Sequence, residues 1–267
     1  AWFDRQAGEF LSNLSGLAPA IGSTALVLPV IGGDKRFAPV LHFLSNMRTY
    51  AIEPVKLRGQ QHPWSGNGLK SDGSNAGGIL LELKRNHPVA LVRMQEYLRA
   101  SLPHVNAVLA DQIGDEVSML FAQRWDTERL VSLSSEFMSD GTLRMLGLLL
   151  AVFQPSPPSV LILEEPEATV HPGALGGVAD LIQHASRNMQ VIVTTHSPEL
   201  LDAASWLGGE HLRVVTWDKG ISHVVNVAEP VKENIQRHLL SVGEMMRSDA
   251  LEPVEPSTES IDQNDLF

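Results

Sequence analysis

Cysteine is absent from the 267 residues, which excludes disulfides and thiolate metal sites. That absence fits a reducing compartment, and a cytoplasmic location is expected. No apolar run reaches the roughly 18 residues of a membrane span, so no membrane partner is expected. The longest such run, Met145–Phe153, is too short. No secretory leader is expected either. Basic residues are few, with 20 Lys and Arg against 31 Asp and Glu and a net charge of −11. After Arg247 there are none, while Asp249, Glu252, Glu255, Glu259, Asp262 and Asp265 are all acidic. This tail also carries Pro253 and Pro256 and reads as poorly ordered. A global basic footprint for nucleic acid is therefore missing, although a local one stays open. Neither an internal repeat nor a heptad run occurs.

What is present suits a packed globular protein. The chain is 43% hydrophobic and long enough for one large domain or two small ones. In the first half, Phe37, Val40, Leu41 and Leu44 have helical spacing within Phe37–Tyr50, and Ala51–Val55 reads as a short strand. Lys56–Gly78 holds six glycines and reads as a loop. Ser74–Lys84 and Val89–Leu102 read as helices; Val105–Ala110, Val117–Arg124 and Arg129–Leu133 read as strands. In the second half, Ser139–Phe153 is a helix capped by Ser139 or Asp140. Val160–Leu163 is an apolar strand, Gly173–Ser186 a helix, Gln190–Thr194 a second apolar strand and Pro198–Ala204 another helix. Leu212–Trp217 and His223–Val227 form a strand pair. Apolar strands alternating with helices predict an α/β fold with a mainly parallel sheet covered on both faces. A helical and β subdomain belongs to the N-terminal half. The expected divisions are 1–130, 131–247 and the tail 248–267.

Three stretches can carry chemistry. In "SVLILEEPEATVHP", a buried strand ends in Glu164 and Glu165. Ligands of parallel sheets bind beyond the carboxyl ends of the strands. A carboxylate there can hold Mg²⁺, and its neighbour can orient an attacking water. The plainer reading is a solvated strand end. In "MSDGT", Ser139, Asp140 and Gly141 open a long helix, which makes either an anion site or an ordinary N-cap. In "TTHSPEL", a second strand ends at His196 just before Pro198 opens a helix. A histidine there can donate to a phosphate oxygen, or can be structural.

Together, in this order, the three resemble the second half of an ABC-type ATPase head, in its SMC/RecF/OLD branch. The likeness is firm over Ser134–Asp202. It implies an ABC-head-like fold, ATP and Mg²⁺ as ligands, and a homodimer closed around ATP. Residue by residue, it implies that Glu164 is the Mg²⁺-associated acid, where Asp is the commonest residue. Glu165 is the glutamate that orients water, and His196 contacts the γ-phosphate. Ser139 and Gly141 match signature residues that reach a γ-phosphate bound by the opposite subunit, with Asp140 in place of the usual first glycine. His171 falls where Asp often stands, and either bridges the dimer or caps the turn before Pro172.

One part is missing. Phosphates in such a site are cradled by G-x-x-x-x-G-K-[ST], and no Gly-Lys pair occurs in the sequence. That loop either lies outside these residues or is absent. Glu167 and His171, at i and i+4, are a weak metal pair. Ser65–Gly78 is a surface loop ending in a cap at Ser74, or touches phosphate. Arg58 and Arg144 are solvated, or meet phosphate or DNA. Met245 and Met246 lie on a short helix that faces a partner. The functional expectation is an ATPase of DNA repair or anti-phage defence, working with a separate nuclease or other effector. The alternative is a non-hydrolysing scaffold that completes a partner's ATP site.

Overall fold

The computed structural model describes residues 26–63, 68–124 and 129–254, and the backbone alone of 3–6 and 9–12. In chain order, β1 (Phe3–Gln6) and β2 (Glu9–Ser12) form a hairpin, followed by α1 (Leu28–Ile31), α2 (Ala38–Ser45) and β3 (Met47–Tyr50). Then come α3 (Ala76–Asn86), α4 (Pro88–Ser101), β4 (Val105–Ile113), β5 (Glu116–Arg124) and β6 (Leu130–Ser134). The second half contains α5 (Asp140–Phe153), β7 (Val160–Glu164), α6 (Leu175–Ser186), β8 (Gln190–Thr194) and α7 (Pro198–Ala203). The hairpin β9 (Arg213–Asp218) and β10 (Ile221–Asn226) leads to α8 (Glu229–Gln236) and α9 (Val242–Arg247).

The fold is α/β, and its parallel sheet has the order β3-β7-β8. Parallel neighbours need crossovers, and α6 makes the one from β7 to β8. The antiparallel meander β4-β5-β6 packs on α3 and α4 and forms the N-terminal helical and β layer. Its core is continuous with that of the parallel sheet. At the centre lies α5, buried from Thr142 to Phe153 except at Arg144. An all-round apolar helix of this kind belongs in a core. It packs on α3, α4, α6 and the 3-10 turn Pro54–Leu57. A Cβ on Gly147 would stand 2.5 Å from Ile52, so the glycine lets the chain leaving β3 cross α5 closely.

Period-2 alternation separates the two faces of the parallel sheet. Tyr50, Leu161 and Leu163 point into the core and are buried. Thr49, Ile162 and Ile192 are paired across the other face. There Thr49 is exposed, Ile162 half-buried and Ile192 43% exposed. Val160, on the same face two residues before Ile162, is 2% exposed, so among the described residues this face is covered at the start of β7 and open toward its end. In the same residues, no strand pairs with the outer edge of β8.

Several local readings change. The strand expected at Ala51–Val55 is Met47–Tyr50, because Pro54 lacks an N–H and opens a 3-10 turn instead. The helix before it ends at Ser45. The cap of α3 is Asn75, not Ser74. The glycine-rich segment, of which 64–67 lie outside the described residues, is not a free surface loop. Leu69 N–H donates to Gln154 Oε1 at 2.8 Å, and Ala51 and Glu53 N–H donate to the carbonyls of Ser71 and Asp72. Met245 packs within this chain. It is buried with Val227, Val231, Ile235 and Val242 in a second, smaller core. Arg247 on α9 bridges Glu199 and Asp202 of α7. The start of the acidic tail is fastened, since Ala228 N–H donates to Glu252 O and Val254 N–H to Asn226 O. Residues 255–267 lie outside the described residues. Among the described residues, no helix is long and apolar enough to cross a membrane.

Candidate functional site

The apolar run Val160–Leu163 forces β7 into the core, and the charge of Glu164 ends it at the surface. Glu164 pairs with Thr194 across the β7–β8 ladder, and Glu165 N–H still donates to Thr194 O at 3.0 Å. The strand's alternation then stops, because Glu165 has φ +40. A non-glycine residue there carries strain of roughly 1–3 kcal/mol, which is most often found at functional sites. Glu164 and Glu165 are both exposed. Neither carboxylate makes a hydrogen bond or salt bridge among the described residues. These two groups suit a hard divalent cation that keeps water and phosphate oxygens as its other ligands. No group of three or more acidic or histidine side chains able to hold a metal by itself occurs among the described residues.

The chain after Glu165 makes two tight turns, with Ala168 N–H donating to Glu165 O and Val170 N–H to Glu167 O. Thr169 is also left-handed, at φ +65. This loop lies on the start of α5, where a Cβ on Gly141 would stand 2.7 Å from Thr169 O. Gly141 thus has a use within the chain, which is to let the loop approach. Ser139 is the N-cap of α5, its Oγ accepting from Thr142 N–H at 3.1 Å and meeting Thr142 Oγ1 at 2.9 Å. Asp140 lies in the first turn, where a negative charge suits the helix dipole. Its carboxylate is bound by Arg58, which also donates to the Glu136 and Met138 carbonyls at 2.9 and 2.8 Å. Arg58 is therefore a clamp on the loop entering α5 rather than a solvated side chain.

His196 follows β8 and is exposed. Its backbone N–H donates to Glu167 Oε1 at 3.3 Å, and Thr195 Oγ1 donates to the same oxygen at 2.5 Å. The two residues of the weak metal pair each have another partner. Glu167 is engaged with Thr195, and His171 Nδ1 accepts from Gly173 N–H at 3.0 Å. Of the two readings of His171, the cap is the one its side chain adopts. Arg144 is the polar exception on α5. Burial lowers its pKa, against the opposing pull of the Glu165, Glu167 and Asp140 charges. Its Nε is buried without a partner, as is Glu167 Oε2.

The sheet edge thus brings together Glu164, Glu165, Thr194 and the turn into His196. The Gly141–Thr169 contact sets the start of α5 beside them. The sequence reading missed the roles of Glu167, Thr195 and Arg58. The one available signal was a third acid two residues after the pair, in "EEPE".

Comparison with known proteins identifies a family. Residues 45–202 match the family described as "AAA domain, putative AbiEii toxin, Type IV TA system". No curated protein matches the chain. Among solved structures, one SMC ATPase, from work on ATP-driven dimerization and DNA-stimulated activation, is 17% identical with a TM-score of 0.44. That match covers 59% of this chain and 94% of the other. The Smc head domain of Pyrococcus furiosus, bound to the C-terminal domain of ScpA, is 18% identical with a TM-score of 0.44, covering 58% and 39%. The SMC head domain of Thermotoga maritima is 16% identical with a TM-score of 0.38, covering 57% and 52%. The chain therefore spans about two-fifths to one-half of the length of the latter two. The family match extends over more than half of the chain and includes every candidate site residue, so this protein belongs to that AAA-domain ATPase family.

Proposed function

We propose that the edge formed by β7 and β8 binds and hydrolyses Mg-ATP. The observation that carries this reading is the unpaired carboxylate couple Glu164–Glu165, held beside the turn into His196. Mg²⁺, when bound, would neutralise charge on the phosphate oxygens. Glu164 would hold it. Glu165 orients the attacking water and takes its proton. His196 donates to the γ-phosphate. The water oxygen bonds to the γ-phosphorus as the bond to the β-bridging oxygen breaks, and ADP leaves. The catalytic contribution is mostly positioning and charge stabilisation.

Ser139, Asp140 and Gly141 form the face offered to a γ-phosphate bound by a second copy, so ATP closes a homodimer. His171, which caps the turn at Pro172, keeps the loop after β7 in shape beside that face. DNA, and a separate nuclease or other effector in repair or defence, are the partners that the family likeness suggests.

A second reading needs no phosphate loop within these residues, where no Gly-Lys pair occurs. In that reading the chain is a non-hydrolysing scaffold that completes a partner's ATP site. Mg-ATP turnover by the full-length protein decides between them. Hydrolysis that falls about 100-fold or more in Glu165→Gln supports the first reading. Turnover that is absent, or unchanged by the substitution, removes it.

A further inference from the structure

We propose that Glu167 is a positioning residue that locks the loop after β8 to the loop after β7 and so fixes where His196 stands. The imidazole of His196 is exposed and makes no hydrogen bond among the described residues, so its place is set by its backbone. That backbone is held from one side by a single oxygen. Glu167 Oε1 accepts from Thr195 Oγ1 at 2.5 Å and from His196 N–H at 3.3 Å.

The hold continues along the chain. Thr195 Oγ1, whose proton goes to Glu167, accepts from Ser197 N–H at 3.0 Å. Ser197 Oγ in turn caps α7 by accepting from Leu200 N–H at 3.1 Å. One carboxylate thus organises the whole turn from the end of β8 to the start of α7. Hydrogen bonds to an ionised acceptor are the stronger kind. The other oxygen of Glu167 and the Nε of Arg144 are both buried and unpaired, and Arg144 lies within reach of the Glu167 charge. Glu167 therefore sits between three elements, α5 and the two loops. A shift of either loop changes the direction in which His196 points.

The kinetic part of this inference rests on the hydrolysis reading above; the hydrogen-exchange part does not. In the full-length protein, Glu167→Ala is expected to lower kcat for Mg-ATP by about 10- to 100-fold with little change in KM, as for a misplaced catalytic group. Glu167→Gln keeps an acceptor oxygen and is expected within about threefold of wild type. In a His196→Ala background, Glu167→Ala should add nothing, because both act through one imidazole. Amide exchange over residues 194–200 should quicken roughly tenfold in Glu167→Ala and in Thr195→Val, but not in Glu167→Gln. If Glu167→Ala does not fold, Thr195→Val carries the same comparison. Multiplicative losses in the double variant, or unchanged exchange in both variants, overturn the proposal. If wild type shows no turnover, the hydrolysis reading fails and exchange alone decides the lock.

Discussion

The two faces of the parallel sheet are built from alternate residues of the same three strands, yet they differ in what the described chain supplies. The inner face carries Tyr50, Leu161 and Leu163, each buried against the helical core. The outer face is buried at Val160, but toward the strand ends it carries Thr49, Ile162 and Ile192, which are only partly covered among the described residues. The inner face is self-sufficient and fixes the ends of β7 and β8 from below. Among the described residues, the outer face and the far edge of β8 are open beside those ends. The candidate site therefore has a rigid floor and an open side, where a phosphate-binding element has room to enter.

Substitutions that treat the faces separately sharpen this contrast. Leu161→Ala and Leu163→Ala on the inner face should each cost about 2–5 kcal/mol in urea unfolding, the range for a large buried side chain. Ile192→Ala on the outer face should cost under about 1 kcal/mol, because its surroundings are partly water. Equal losses would mean that the outer face is covered in solution. Gly141→Ala should cost about 1–3 kcal/mol, since the methyl group meets the Thr169 carbonyl, and should also lower hydrolysis by parting α5 from the loop. Ser139→Ala removes a cap and should cost about 1 kcal/mol. Arg58→Ala should cost no more than about 1 kcal/mol for its half-exposed ion pair, with any further loss coming from the Glu136 and Met138 carbonyls it releases.

Legibility in the sequence follows the same division. The inner face was readable, because continuous apolar runs such as Val160–Leu163 leave one placement. The α5 cap and the edge position of Glu164 and Glu165 followed from the same patterns. The open outer face was not readable, because Ile162 and Ile192 look identical to core residues in a one-dimensional pattern. Strand β3 was hidden behind a helical spacing that runs into it, and only Pro54 marks that the chain has already left the sheet. The role of Glu167 was also hidden. Its partner Thr195 is 28 residues away, and only the parallel pairing of β7 with β8 brings them together. Arg58 and Asp140, 82 residues apart, meet for the same kind of reason.

The most direct measurement is calorimetric titration of Mg-ATP into the Glu165→Gln form of the full-length protein, with molecular mass followed by light scattering. The account predicts one ATP bound per chain and a mass that doubles on binding. A titration without heat, and a mass unchanged by ATP, would contradict it.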